Sequence, residues 1–310
     1  MSQHGTPVIA VFTKNRTNPA YTAARLGADR VAARLGARIA HYVPDKPDDV
    51  TEQRALVERA IAERPDAVVF VPVHATAMND SVRKLNAAGI PTVNYLNRLA
   101  EGRFVTYVGS DDYQLARDIA AYLFQYISGK GDIAILEGVP AAVTSQERLR
   151  GFRDAARDSP GIRIAASRVA DYQQETARRV TAELLAGPPH VDGILCANDV
   201  MALGAIEALE AAGRRVPLVG VNAIPEAIAA IRSGRLLATV DFDAMAISSI
   251  ATEAAIRHLR GERVPAEIIL PVKIVDAANY QPWDRTFEKR ECPRWEDVVT
   301  RQKAKGTRQK

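Results

Sequence analysis

Two stretches of this chain, Asp66 to Asn97 and Asp192 to Asn222, follow one plan. Each runs Asp, apolar segment, polar turn, amphipathic segment, Ala-Ala-Gly, a proline-marked apolar segment and Asn. From Asp to Gly the copies span 66 to 89 and 192 to 213, a difference of two residues. The apolar segments Asp66–Val73 (DAVVFVPV) and Gly193–Ala197 (GILCA) are short and unbroken, as central parallel strands buried on both faces require. After the second, Met201, Leu203, Ile206 and Leu209 share one face of a helix. Strand–helix–strand units of this kind build parallel sheets, and two copies imply two similar lobes, not one large sheet.

The remaining segments fit that architecture. A strand at Val8–Phe12 precedes Asn18-Pro19, a helix cap followed by a first-turn proline. That helix runs to Leu35, with Gly36 just past its end and Ala24, Gly27, Ala28, Val31, Ala32 and Leu35 on one face. Further strands are predicted at Arg38–Val43, Thr92–Leu96, Phe104–Val108, Ile133–Glu137, Ile162–Val169, Val216–Asn222 and Ala238–Phe242. Helices are predicted near Val50–Glu63, Ala77–Ala88 and Ala246–Leu259, over Leu115–Ile127, and around Glu147–Phe152. A last extended piece covers Ile268–Val275.

At 310 residues the chain is long enough for two ordinary cores. No apolar run approaches a membrane span, and the first residues do not read as a signal peptide. Either the protein is cytoplasmic, or a secretion signal has been removed. The net charge of +4 comes from the end of the chain: residues 285–310 hold nine Lys/Arg against four Asp/Glu, leaving about −1 for the rest. The body is therefore no polyanion binder, and nucleic acid is not an expected partner. Cys196 and Cys292 have no metal-ligand spacing; Cys196, inside a strand, is expected to be an inert thiol, with a bridge to Cys292 as the alternative. No metal and no cofactor are expected.

In open parallel sheets, ligands sit where strands end and helices begin. The residues at successive strand ends are Asn18, Tyr21, Asn97, Arg98, Arg148, Tyr172, Asn198 and Asn222. Amides and guanidiniums suit a ligand with many hydroxyls, and aromatic rings cover the apolar face of a sugar. Six to eight such bonds support micromolar binding, on the order of −8 kcal/mol. Each residue also has a plainer reading: Asn198 or Asp199 as a helix cap, Tyr21 as packing, Asn97 and Asn222 as turn residues, Arg148 as a surface cation.

The chain resembles the type 1 periplasmic solute-binding proteins of sugar ABC transporters, the ribose-binding-like branch, over roughly residues 6–275. The resemblance rests on Asn18-Pro19, Gly89-Ile90-Pro91, Val108-Gly109-Ser110-Asp111, Glu147-Arg148 with Gly151-Phe152, Ala197-Asn198-Asp199 with Met201-Ala202-Leu203-Gly204, and Gly220-Val221-Asn222, six motifs in family order. It implies two doubly wound parallel-sheet lobes joined by a three-segment hinge with crossings near Ser110, Asp243 and Pro271. The expected division is 1–110 plus 244–271, 111–243 plus 272–284, and a basic extension, 285–310, that Trp283 and Trp295 pin to a lobe. It places ligand contacts at Asn18, Tyr21, Arg98, Arg148, Tyr172 and Asn198. It also implies closure around a sugar, docking on a membrane permease, a periplasmic location and a monomer.

The sequence departs from that pattern where sugar binders place carboxylates, with Asn97 and Asn222, and where many place a Gln, with Phe242. One residue is inserted before Asn97, which leaves Asn94 as an alternative contact. A polyol, deoxy sugar or sugar acid is expected in preference to ribose. The rival reading is the intracellular sugar-sensing effector domain of a LacI-type transcriptional regulator, which carries a DNA-binding helix pair ahead of the first strand. Seven residues precede Val8 here. An enzyme is not expected: no GxGxxG, GxxxxGK, GxSxG or HExxH is present, and of the five histidines only His74 ends a central strand.

Overall fold

The computed structural model describes residues 5–188 and 190–299. In chain order the elements are β1 (Val8–Phe12), α1 (Pro19–Leu35), β2 (Arg38–Tyr42), α2 (Val50–Glu63), β3 (Ala67–Phe70), α3 (Asn79–Ala87), β4 (Thr92–Tyr95) and β5 (Tyr107–Gly109). Then come α4 (Asp112–Tyr126), β6 (Gly131–Glu137), α5 (Val143–Arg157), β7 (Ile162–Val169), α6 (Gln174–Leu185), β8 (Gly193–Cys196), α7 (Asp199–Ala211), β9 (Leu218–Val221) and α8 (Pro225–Arg232). The chain continues with β10 (Ala238–Asp241), α9 (Ala244–Leu259), β11 (Glu267–Ile269) and β12 (Lys273–Asp276), and two 3₁₀ turns follow.

Two compact units result. The first takes the chain up to Ser110, then Asp243–Pro271 and the segment from Phe287; the second takes Asp111–Phe242 and Val272–Thr286. The first unit's sheet has the order β11-β5-β4-β3-β1-β2, and the second's β12-β10-β9-β8-β6-β7. All pairings are parallel except β10–β12. Both sheets are doubly wound with the same strand order about their first strand, as the duplicated plan predicts.

The repeated Asp has one physical job in both units. Asp66 Oδ2 accepts from the Val8 N–H at 2.7 Å, and Asp192 Oδ2 from the Asp132 N–H at 2.7 Å. Each carboxylate thus satisfies an amide at the start of the neighbouring strand, which sets that strand's register. The core of the first unit packs Phe12 between Tyr42, stacked at 4.8 Å, and Phe70, edge-on at 5.2 Å.

Three features differ from the sequence reading. Helices α6 and α8 lie where none is predicted: α6 buries only Ala177, Val180, Thr181 and Leu184 and has no side-chain cap, so its periodic signal is thin. The single extended piece at Ile268–Val275 is two strands. Leu270-Pro271 interrupts it, β11 pairs parallel with β5, and β12 pairs antiparallel with β10. The end of the chain is not one free extension: Trp283 Nε1 donates to Asp241 in the second unit, and Trp295 is buried in the first. The chain therefore passes between units after Thr286, in addition to Ser110, Phe242 and Pro271.

Candidate functional site

In the first unit, Asn18 caps α1. Its Oδ1 accepts from the Ala20 N–H at 3.0 Å, and Asn15 Oδ1 accepts from the Asn18 N–H at 2.9 Å. Asn15 is itself held by Asp48, which also takes the buried Lys14 ammonium at 2.7 Å. The loop after β1 is thus fixed by a charge pair that sequence reading missed, because its partners are 34 residues apart. Tyr21 stands half-buried on the first turn of α1.

Asn97 is buried, and its Nδ2 lies 3.4 Å from the Pro72 carbonyl oxygen. Asn94, the alternative contact on β4, is committed within its own unit. Its Nδ2 donates to the Phe70 and Asn97 carbonyl oxygens, and its Oδ1 accepts from the Leu99 N–H. That removes Asn94 from the candidate contacts: its amide stitches the turn that presents Asn97. Arg98, the next residue, has partners of its own. Half exposed, it pairs with Glu267 and lies 3.9 Å from the Tyr107 ring centroid, at the β5–β11 side of the sheet.

In the second unit Arg148 meets Phe242 and the turn that carries Asn198. Arg148 is buried on α5, so its reading as a surface cation does not hold. Its Nε donates to Asp112 Oδ1 at 2.8 Å and its Nη1 to the Ala197 carbonyl oxygen at 2.7 Å, beside Asn198. Its guanidinium carbon lies 5.4 Å from the Phe242 ring centroid. Burial pushes the Asp112 carboxyl above its ordinary value, and the Arg148 charge opposes that shift. Arg148→Ala is therefore expected to weaken the fold as well as the site. Removing the guanidinium strands a buried carboxylate, at a cost of about 3–5 kcal/mol.

Asn198 is both cap and candidate contact. Its Oδ1 accepts from the Met201 N–H at 2.9 Å, while its buried Nδ2 has no protein partner. Asp199 is no cap: its Oδ1 accepts from the Thr239 hydroxyl at 2.6 Å and its Oδ2 from the Ile224 N–H at 3.1 Å. Burial pushes this carboxyl up to about 7, against the hydrogen bonds from Thr239 and Ile224 and the Arg148 charge, which hold it down. Tyr172 sits on the turn after β7 with φ of 58°, its ring packed over Gly138 and its hydroxyl 3.2 Å from Thr144 Oγ1. Asn222 ends β9 at φ of 127°, its N–H donating to Val240 at 2.8 Å.

His74 Nδ1 accepts from both the Thr76 and Ala77 N–H groups at 3.2 Å, and so caps its own turn. Among the described residues no group of three or more His, Cys, Asp or Glu could hold a metal ion. Cys196 and Cys292 are both free, which leaves the bridge unformed; burial pushes each thiol up.

Each unit thus carries amides and aromatic rings at its strand ends, and the second adds the Arg148 guanidinium. The profile of the periplasmic binding protein domain matches residues 9–263. The ribose import binding protein of Bacillus subtilis (strain 168) is 30% identical over 266 residues, covering 86% of this chain and 85% of that protein. An ABC transporter periplasmic solute-binding protein from Actinobacillus succinogenes 130z, solved with D-allose, superposes with a TM-score of 0.84 at 31% identity, over 88% of this chain and 98% of that one. A solute-binding protein from Bacillus halodurans C-125 with myo-inositol gives 0.85 at 26% identity, over 92% and 99%. The chain belongs to the periplasmic binding protein domain family, with the type 1 fold of two parallel-sheet lobes.

Proposed function

We propose that this chain is the solute-binding component of an ABC importer, capturing a sugar or polyol by closing its two units on it. The observation that carries this reading is the family match over residues 9–263 together with the strand-end set each unit presents. Asn18, Tyr21, Asn97 and Arg98 are offered by the first unit; Arg148, Tyr172, Asn198, Asn222 and Phe242 by the second. A ligand touching both sets favours the closed state, because that state alone makes both sets of bonds. Delivery to a membrane permease from the periplasm, as a monomer, completes the reading. The relatives found are importer components, so the regulator reading is not favoured.

Charge narrows the ligand. Arg148 is already neutralised by Asp112 and Arg98 by Glu267, while Asn97 and Asn222 stand where sugar binders place carboxylates. Such walls carry no net charge to attract an anion, which favours a neutral polyol or deoxy sugar over a sugar acid. A thermal-shift panel of D-ribose, D-allose, myo-inositol, L-fucose and D-gluconate, followed by calorimetry, tests this. A neutral compound is expected to bind with a micromolar Kd, about −8 kcal/mol. No shift with any compound would overturn the function, and D-gluconate or D-ribose binding tightest would overturn the ligand class.

A further inference from the structure

Asp199 is fully buried, so no ligand reaches it, and Asn198 already caps the helix on which it stands. Its carboxylate is aimed sideways, at two neighbouring strand ends. Oδ2 takes the Ile224 N–H from the segment after β9, and Oδ1 takes the hydroxyl of Thr239 on β10. Thr239 Oγ1 in turn accepts from the Ala223 N–H at 3.4 Å. The segment so held is Asn222–Ala223, with φ of 127° and 51°, a backbone form that residues other than glycine resist. The carboxylate also lies close over β9: a Cβ at Gly220 would strike its Oδ1. Strand and carboxylate leave each other no room to shift.

We propose that Asp199 is a positioning residue for ligand binding. From the first turn of α7 it holds Asn222–Ile224 in the strained form that presents the Asn222 side chain beside Asn198. The ends of β8, β9 and β10 then act as one rigid wall. The proposal deepens the binding reading above and rests on it.

Its signature is kinetic. If the Asn222 segment relaxes, the receptive form is a smaller fraction of the molecules, and the apparent affinity falls by that fraction through the association rate. Loss of a direct contact appears instead in dissociation. Stopped-flow binding on the full chain, with whichever of D-ribose, D-allose and myo-inositol binds tightest, separates the two. Asp199→Ala is expected to lower kon about tenfold with koff little changed. Thr239→Val, which removes one of the two holds and spares the fold, is expected to lower kon about threefold. Asn222→Ala is expected to raise koff.

Unchanged kon in Thr239→Val and Asp199→Ala, with Asn222→Ala weakened, would overturn the positioning role and leave the binding reading standing. Wild-type kinetics in Asn222→Ala would overturn both at this residue. Should Asp199→Ala fail to fold, Thr239→Val decides.

Discussion

The amide of Asn198 serves two functions through its two ends. Its oxygen caps α7, and its nitrogen is buried without a protein partner. An unmet buried donor costs about 1–3 kcal/mol, which a ligand acceptor would recover on binding. Serine caps helices as well as asparagine does, so Asn198→Ser keeps the first function and deletes the second. The expected result is binding weaker by about tenfold with no loss of melting temperature, read by calorimetry and thermal denaturation together. Equal affinity would remove Asn198 from the binding set. Arg148 allows no such clean separation, because the bond that orients it also neutralises Asp112. Of the candidate residues, Asn18 and Asn198 were legible as strand-end polar groups next to helix starts. The partners Asp48, Asp112 and Thr239, which hold Asn15, Arg148 and Asp199, were not, since each is brought in from a distant segment by the fold.

At the scale of elements, the firmest expectations were those where a periodic apolar pattern coincides with a cap. Helix α1 has both: Asn18 at its start, Gly36 in the left-handed form at its end, and a stripe of small residues between. That stripe lets α9 approach until a Cβ at Gly27 would meet the Met245 carbonyl oxygen. Alanine is the better helix former by about 1 kcal/mol. Backbone cannot rotate away as a side chain does, however, and overpacking costs about 1–3 kcal/mol. The clash is expected to win. Gly27→Ala should lower stability in denaturant titration, and an unchanged midpoint would show that α1 and α9 can part at no cost. Helix α9 is buried along nearly all its length, which its run of Ala, Ile and Ser foreshadows; α6, with a thin stripe and no cap, gave no comparable sign.

For the molecule as a whole, the end of the chain has a structural part. In the first unit, Trp295 is buried with the Arg257 guanidinium 5.0 Å from its ring centroid, and Arg257 pairs with Glu253, Glu262 and Glu296. Arg30 on α1 donates to the Glu288 and Arg290 carbonyl oxygens. Glu253, 1% exposed, also takes Arg34, so the segment closes over a buried carboxylate held by two arginines. Trp295→Ala is expected to cost about 3–5 kcal/mol. In differential scanning calorimetry that is a fall on the order of 10 °C in the transition of this unit. A shift of a degree or less would mean the segment is a surface ornament.

The repeat, the apolar runs and the caps specify two parallel-sheet lobes, since periodicity and helix-end chemistry act within a dozen residues and are written locally. The same locality marks which residues stand at strand ends, and hence the candidate set. What the tertiary structure decided is which of those side chains are spent on the fold and which remain for a ligand. Asn94 was taken up by its own unit, Asp199 was turned toward its neighbours, and the Asn198 amide was left over. Those outcomes depend on partners tens of residues away, whose approach is set by packing and not by any local pattern.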